Sequence, residues 1–271
     1  MLSRLDLDLT WLAAATPLMR DTYWTQRGTA VASVVGLGRS GGQSPAPIRQ
    51  VGRWFERVHL TALRGMPGVE VLAANEPLRD GNRTIGELDV LFRRDARIVH
   101  REVAVKYYLA AKPGTHCSAW LGPGKRDRLD LKLDRLATHQ ITVARQARDA
   151  EAWPENLPFP DETEVLMLGA LFSPRGEKRL PEGAHEEADH GHWYFASEFA
   201  ETFGDAPWCD LEKPWWLSPE HARGEPSKAA RDLVRGLRRP ALVARVDTEV
   251  ERAFVVPDGW WDDLEGLDAS L

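Results

Sequence analysis

Residues 164–172 read Glu-Val-Leu-Met-Leu-Gly-Ala-Leu-Phe, and this nearly continuous apolar run constrains the fold more than any other stretch of the chain. A strand buried on one face alternates apolar with polar residues, whereas one without alternation needs cover on both. The run is far short of the roughly 18 apolar residues that read as a membrane-spanning helix, and no other run comes close. It predicts a central strand with helices above and below, and the preceding residues supply them. Val51, Phe55, Val58 and Ala62 recur at helical spacing through 51–64, with Glu56 in a neighbouring row beside Leu60 and Leu63. Strands follow at 69–74, 85–92 and 98–109, the last two joined by the basic turn Arg93 to Arg97 as an antiparallel hairpin. Leu129, Leu133, Leu136 and Gln140 then mark a long helix from about Asp127. The order over 51–172 is helix, three strands, helix, strand, which predicts an α/β protein built around a mixed sheet.

Outside this core, residues 3–24 read as one or two short helices broken at Pro17, with Trp11, Leu12 and Leu18 facing inward. Residues 36–49 are a glycine-, serine- and proline-rich linker. Its Gly36, Gly38 and Gly41 run into prolines rather than into a helix, which argues against a dinucleotide fingerprint. Residues 1–50 thus form a helical segment and linker, 51–172 the core and 173–271 an accessory layer packed on it. That layer holds a strand near 193–195, an acidic helix at 198–203 and a basic helix around 227–239. The formal charge of -6 excludes a generic polyanion binder, although arginines and lysines crowd the central third. Cys117 and Cys209 are the only cysteines and lack metal-ligand spacing, so a reducing cytoplasm is expected. The amino terminus has neither a basic start nor a long apolar core, so it does not read as a secretory signal.

The hairpin carries the chemistry. Gly86-Glu87-Leu88-Asp89-Val90-Leu91-Phe92 leads through the basic turn to Glu102-Val103-Ala104-Val105-Lys106. Alternate residues of a strand share a face, so Glu87 falls with Asp89, and Glu102 with Ala104 and Lys106. Leu88, Val90 and Phe92 take the other face, with Val103 and Val105. Strand interiors usually avoid Asp, Glu and Lys. Two carboxylates beside a lysine are what a divalent metal and a phosphodiester require. Asp89 and Glu102 would hold Mg2+ or Mn2+, with Glu56 reaching the ion through water. Lys106 would meet the scissile phosphate or acidify the attacking water, and small Ala104 leaves room for substrate. The bland alternative is that these charges pair with one another across a solvated hairpin, for about 0.2–1 kcal/mol each and no chemistry.

Val51-Gly52-Arg53-Trp54-Phe55-Glu56, Gly86 to Asp89, Glu102 to Leu109, Leu121-Gly122-Pro123 with Asp127 to Lys132, and His139-Gln140 together resemble a bacterial family catalogued as domain of unknown function 1853. The likeness spans most of the chain. That family in turn resembles the PD-(D/E)XK nuclease-like superfamily, so the resemblance implies a restriction-endonuclease-like core and metal-dependent cleavage of DNA or RNA. It implies Asp89 in the first acidic position, Glu102 in the second and Lys106 as the lysine. The superfamily sets its second acid two residues before the lysine. Here Glu102 precedes Lys106 by four and Ala104 fills the usual place, though both spacings keep the side chains on one face. Related nucleases add a glutamine from the following helix, which implies an active-site or substrate contact for Gln140.

Lys125, Arg128 and Lys132, with Arg126 and Arg135, would track a phosphate backbone, unless they simply coat a solvated helix. His185, His190 and His192 lack zinc-peptidase spacing, and neither a nucleophile elbow nor a Walker loop is present. Two expectations remain. One is a magnesium- or manganese-dependent nuclease; the other is a catalytically silent module of the same fold that binds nucleic acid or a protein.

Overall fold

The computed structural model describes residues 2–26, 29–32, 46–111, 113–246 and 250–262, so the glycine-rich part of the expected linker lies outside it. Two helices, α1 (Arg4–Ala14) and α2 (Asp21–Thr25), flank Pro17 as expected, and β1 (Ala30–Val31) follows. The core then runs α3 (Val51–Arg64), β2 (Val69–Asp80), β3 (Arg83–Arg94), β4 (Arg97–Ala110), β5 (Trp120–Leu121), α4 (Leu129–Thr138), α5 (Val143–Asp149) and β6 (Glu162–Pro174). Beyond it come β7 (His190–Phe195), α6 (Ala196–Phe203), β8 (Pro207–Asp210), β9 (Lys228–Ala229), α7 (Ala230–Leu233), β10 (Ala241–Val246) and β11 (Val250–Val256).

All of the described strands join one mixed sheet in the order β2-β3-β4-β6-β7-β11-β10-β8-β9, with β1 on β6 and β5 on β4. The β2-β3-β4 end is antiparallel, the middle from β4 through β6 and β7 to β11 is parallel, and the far end is antiparallel again. β6 occupies the predicted central place. Its Leu166, Leu168, Ala170 and Phe172 pack in a cluster with Phe55 and Val58 of α3, while Val165, Met167 and Leu171 pack with Leu129 and Leu133 of α4. Gly169 lies in this strand at φ +132, where an added Cβ would sit 1.7 Å from the backbone oxygen of Lys106. No side chain fits there, so glycine lets β4 and β6 stay paired beneath the site.

Three expectations are corrected. β2 does not stop at residue 74: it runs to Asp80, because Pro77 is tolerated on the edge strand of a sheet, and the turn signal belongs to residues 81–82. The helix after the hairpin is broken. α4 ends at Thr138, His139 leaves helical backbone at φ -123 and ψ -58, and a short 3-10 turn at Gln140–Thr142 leads into α5. One straight helix could not cover both Tyr108, which packs on α4, and Leu88, which packs on α5. The basic helix expected around 227–239 shrinks to the four residues of α7, since the chain must enter β10 after Pro240, which cannot continue a helix.

The part after residue 173 shares a hydrophobic cluster with the core and also lengthens the sheet, with β7 pairing parallel to β6. Trp24, Trp54, Trp120 and Trp208 are fully buried packing residues. Among the described residues, no helix is long and apolar enough to cross a membrane.

Candidate functional site

The site lies where two strands part. The β3–β4 ladder is paired from its turn as far as Val90 and Arg101, after which β3 follows β2 and β4 follows β6. Asp89 Oδ2 reaches into the gap and accepts a hydrogen bond from the Val103 backbone N–H at 2.9 Å. The expected alternation along β3 slips here. Leu88 packs with Leu78 and Val143 on the α5 side, whereas Val90 and Phe92 pack with Phe55 and Val58 on the α3 side. Opposite Asp89, between the pairs Ala74–Val90 and Glu76–Leu88, Asn75 adopts φ +52. Among residues with a side chain, Asn tolerates this left-handed conformation best. The slip leaves Asp89 at the boundary between faces, close enough to Glu102 and to Glu56 on α3 for their charges to act on one another. Glu87, expected beside Asp89, lines a cavity next to α3 together with Glu56.

On β4 the alternation holds. Val103, Val105 and Tyr107 join the cluster on the α3 side, and Ala104 and Tyr108 join that on the α4 side, which places Glu102 and Lys106 on the α4 side too. Glu102 is only 1% exposed, and each of its oxygens is held. Oε1 accepts from His100 Nε2 at 3.0 Å, and Oε2 from Gln140 Nε2 at 2.7 Å. The Gln140 Oε1 in turn accepts from Lys132 Nζ at 2.8 Å. A relay of Lys132, Gln140 and Glu102 therefore runs from the helix side into the gap, and the break after α4 is what turns Gln140 inward. Burial pushes His100 down to about 4, so its ring is neutral near pH 7 and its Nε2–H donates to the carboxylate.

Burial also dominates the acids. It raises Asp89 from its ordinary 3.8 to about 7, with the nearby Glu102 charge adding to the rise. Glu102 rises from 4.5 to about 7 through burial, against the opposing pull of Lys132. Half-buried Glu56 is likewise raised to about 7, first by desolvation and then by Asp89. Lys132 falls from 10.5 to about 8 because it is desolvated and stands near Lys106.

Lys106 is on the expected face, but its ammonium lies 2.5 Å from Asp127 Oδ2, and the Tyr108 hydroxyl donates to the other oxygen of Asp127 at 3.3 Å. The cation whose charge acts on both Asp89 and Glu102 is Lys132. Of the other expected backbone contacts, Arg128 makes a two-pronged pair with Asp130 at 2.6 and 3.0 Å, and Lys125 lies over the Trp260 ring at 5.5 Å. Sequence reasoning missed His100 and Asp127. His100 was legible, since it shares strand parity with Glu102. Asp127 was not, because a loop brings it over Lys106. His190 bonds Ser173 Oγ at 2.8 Å, which is a packing role in β6 and β7.

Two carboxyls gathered in a desolvated gap fit a hard divalent cation, which would take its remaining ligands from water and phosphate. Among the described residues, no group of three or more His, Cys, Asp or Glu is gathered to hold a metal. The fit therefore rests on Asp89 and Glu102, with Glu56 acting through its field.

The family model described as Domain of unknown function (DUF1853) matches residues 42–262. Nothing among the curated proteins or the solved structures matches the chain.

Proposed function

Because the chain belongs to the domain of unknown function 1853 family, a description that names no activity, we propose its function from the site: a Mg2+- or Mn2+-dependent nuclease that hydrolyses phosphodiester bonds of DNA or RNA. The observation that carries the reading is the meeting of Asp89 and Glu102 where β3 and β4 separate, with Glu102 only 1% exposed and Asp89 half-buried on the backbone of the neighbouring Val103. Isolated ion pairs on a solvated hairpin would not be desolvated in this way. The order α3, β2, β3, β4, α4, α5, β6, with helices on both faces of a mixed sheet, supports a restriction-endonuclease-like core.

The residues divide the work by position. Asp89 and Glu102 would hold the ion, and a bound ion would polarise the phosphate and acidify a water. Gln140 fixes the Glu102 carboxylate, and Lys132 fixes Gln140 while offsetting the negative charge of the pair. Lys106, tethered to Asp127 at the edge of the same face, is available to a phosphate that displaces Asp127.

The test is incubation of the purified chain and its Asp89→Asn variant with single-stranded, linear, circular and branched DNA and with RNA, with and without Mg2+ or Mn2+. Metal-dependent cleavage by the wild type and a loss of at least about a hundredfold in the variant are expected, as when a charged group at a reacting centre is removed. Equal cleavage by both would remove Asp89 from the mechanism. Binding without turnover under every condition would leave the silent module.

A further inference from the structure

On the α3 side of Asp89 lies a cavity of about 720 Å³ that none of the expected substrate contacts lines. Arg53, Arg57 and Arg64 of α3 form one wall, and Asn75 and Glu87 of the β2–β3 hairpin form the other, with Glu56 at the base of the helix row. All three arginines are exposed, and among the described residues none is in an ion pair. That sets them apart from the basic residues on the other side of the sheet, where Arg128 is held by Asp130 and Lys132 by Gln140. The cavity reaches the site through its own lining: Asn75 stands opposite Asp89 across the β2–β3 ladder, and Glu87 lies two residues before Asp89 on β3.

Resting on the nuclease reading, we infer that this cavity is the groove through which a nucleic-acid strand reaches the acid pair, held by its phosphates and not by its bases. Spacings of four and seven residues put Arg53, Arg57 and Arg64 along one side of α3. At a rise of 1.5 Å per residue the row is about 16 Å long. Along one strand of a duplex, at 3.4 Å per phosphate, that is roughly five nucleotides. Guanidinium forks suit phosphate oxygens. Among the described residues no aromatic ring lines the cavity, so they offer no platform for stacking bases, and contacts to phosphate carry no sequence information. A chain of net charge -6 thereby attracts a polyanion through one local surface while repelling it elsewhere.

The experiment measures equilibrium binding of a fluorescein-labelled 30-nucleotide DNA, single-stranded and as a duplex, to the full chain in EDTA over a series of KCl concentrations. It compares the wild type, the triple variant Arg53→Ala, Arg57→Ala and Arg64→Ala, and a control, Arg238→Ala with Arg239→Ala, exposed between α7 and β10. Circular dichroism checks that each is folded. The slope of log affinity against log salt should become shallower by about 2 to 3 in the triple variant, one contact per arginine, and stay unchanged in the control. An unchanged slope in the triple variant, an equal loss in the control, or no salt-dependent binding by the wild type overturns the groove. Metal-dependent cleavage is scored separately. Cleavage with an unchanged slope removes the groove and leaves the nuclease, whereas groove-dependent binding without cleavage does the reverse.

Discussion

Burial decides what Asp89 and Glu102 can do. Both are raised to about 7 by desolvation, so from about pH 4 to about pH 7 the folded chain keeps protons that the unfolded chain has released. The stability tied to those protons is present in full below the ordinary carboxylate range and is lost as the pH rises through 7. A divalent cation competes with the same protons and restores most where they are gone. In thermal melts, Mn2+ should raise the Tm of the wild type more at pH 8 than at pH 5.5. Without metal, Asp89→Asn should melt at or above the wild type at pH 8, because it removes a charge that burial disfavours. Equal Mn2+ shifts at both pH values, or a full shift in the variant, would detach the ion from this pair. Strand parity made Asp89, Glu102 and Lys106 legible, but parity cannot say which lysine acts on the acids. Lys132 does so because α4 packs over β4, a tertiary fact that its own helix period does not carry.

At the scale of elements, the site depends on close approaches that single residue types permit. A Cβ on Gly86 would lie 2.4 Å from Cγ2 of Val143, a stiff branched side chain on α5, and α5 follows directly on the turn that aims Gln140. Gly86→Ala should push α5 outward, lowering stability by about 1–3 kcal/mol and loosening the Gln140–Glu102 contact. Gly169→Ala meets backbone instead and also requires φ +132, so it should cost on the order of 4–5 kcal/mol or yield no folded protein. Urea unfolding of the two variants gives the order, and an equal cost would mean that β4 and β6 can part without penalty. The helices and strands from 51 to 172 were legible because their hydrophobic periods are long and consistent. Two breaks were not: the parity slip at Asp89, opposite the left-handed Asn75, and the turn after α4, which lets the chain cover two patches of the sheet. Both occur at the candidate site, the kind of place where departures from local pattern concentrate.

For the whole molecule, the segment 51–172 cannot close its own core. Tyr107 of β4 donates to the Trp216 carbonyl at 2.8 Å and packs edge-on against Trp216 and Phe254. Leu211, Leu217, Phe254 and Val256 share one cluster with Phe55 and Val58, and Trp193 Nε1 donates to the Ala110 carbonyl. The late strands escaped sequence reading because β10 and β11 are short and find partners distant in sequence, β11 on β7 and β10 on β8, so no local period announces them. A fragment ending at residue 174 would expose both the cluster and the edge of β6 that pairs with β7 from Leu171 to Pro174, a surface that pairs with other chains. Fragment 46–174 should therefore aggregate or unfold without a cooperative transition. In the full chain, tryptophan fluorescence and far-ultraviolet circular dichroism should share a single denaturation midpoint. A soluble fragment with a sharp transition of its own would make 51–172 an autonomous domain. The late strands would then be an attachment, and the position of the acid pair would owe nothing to them.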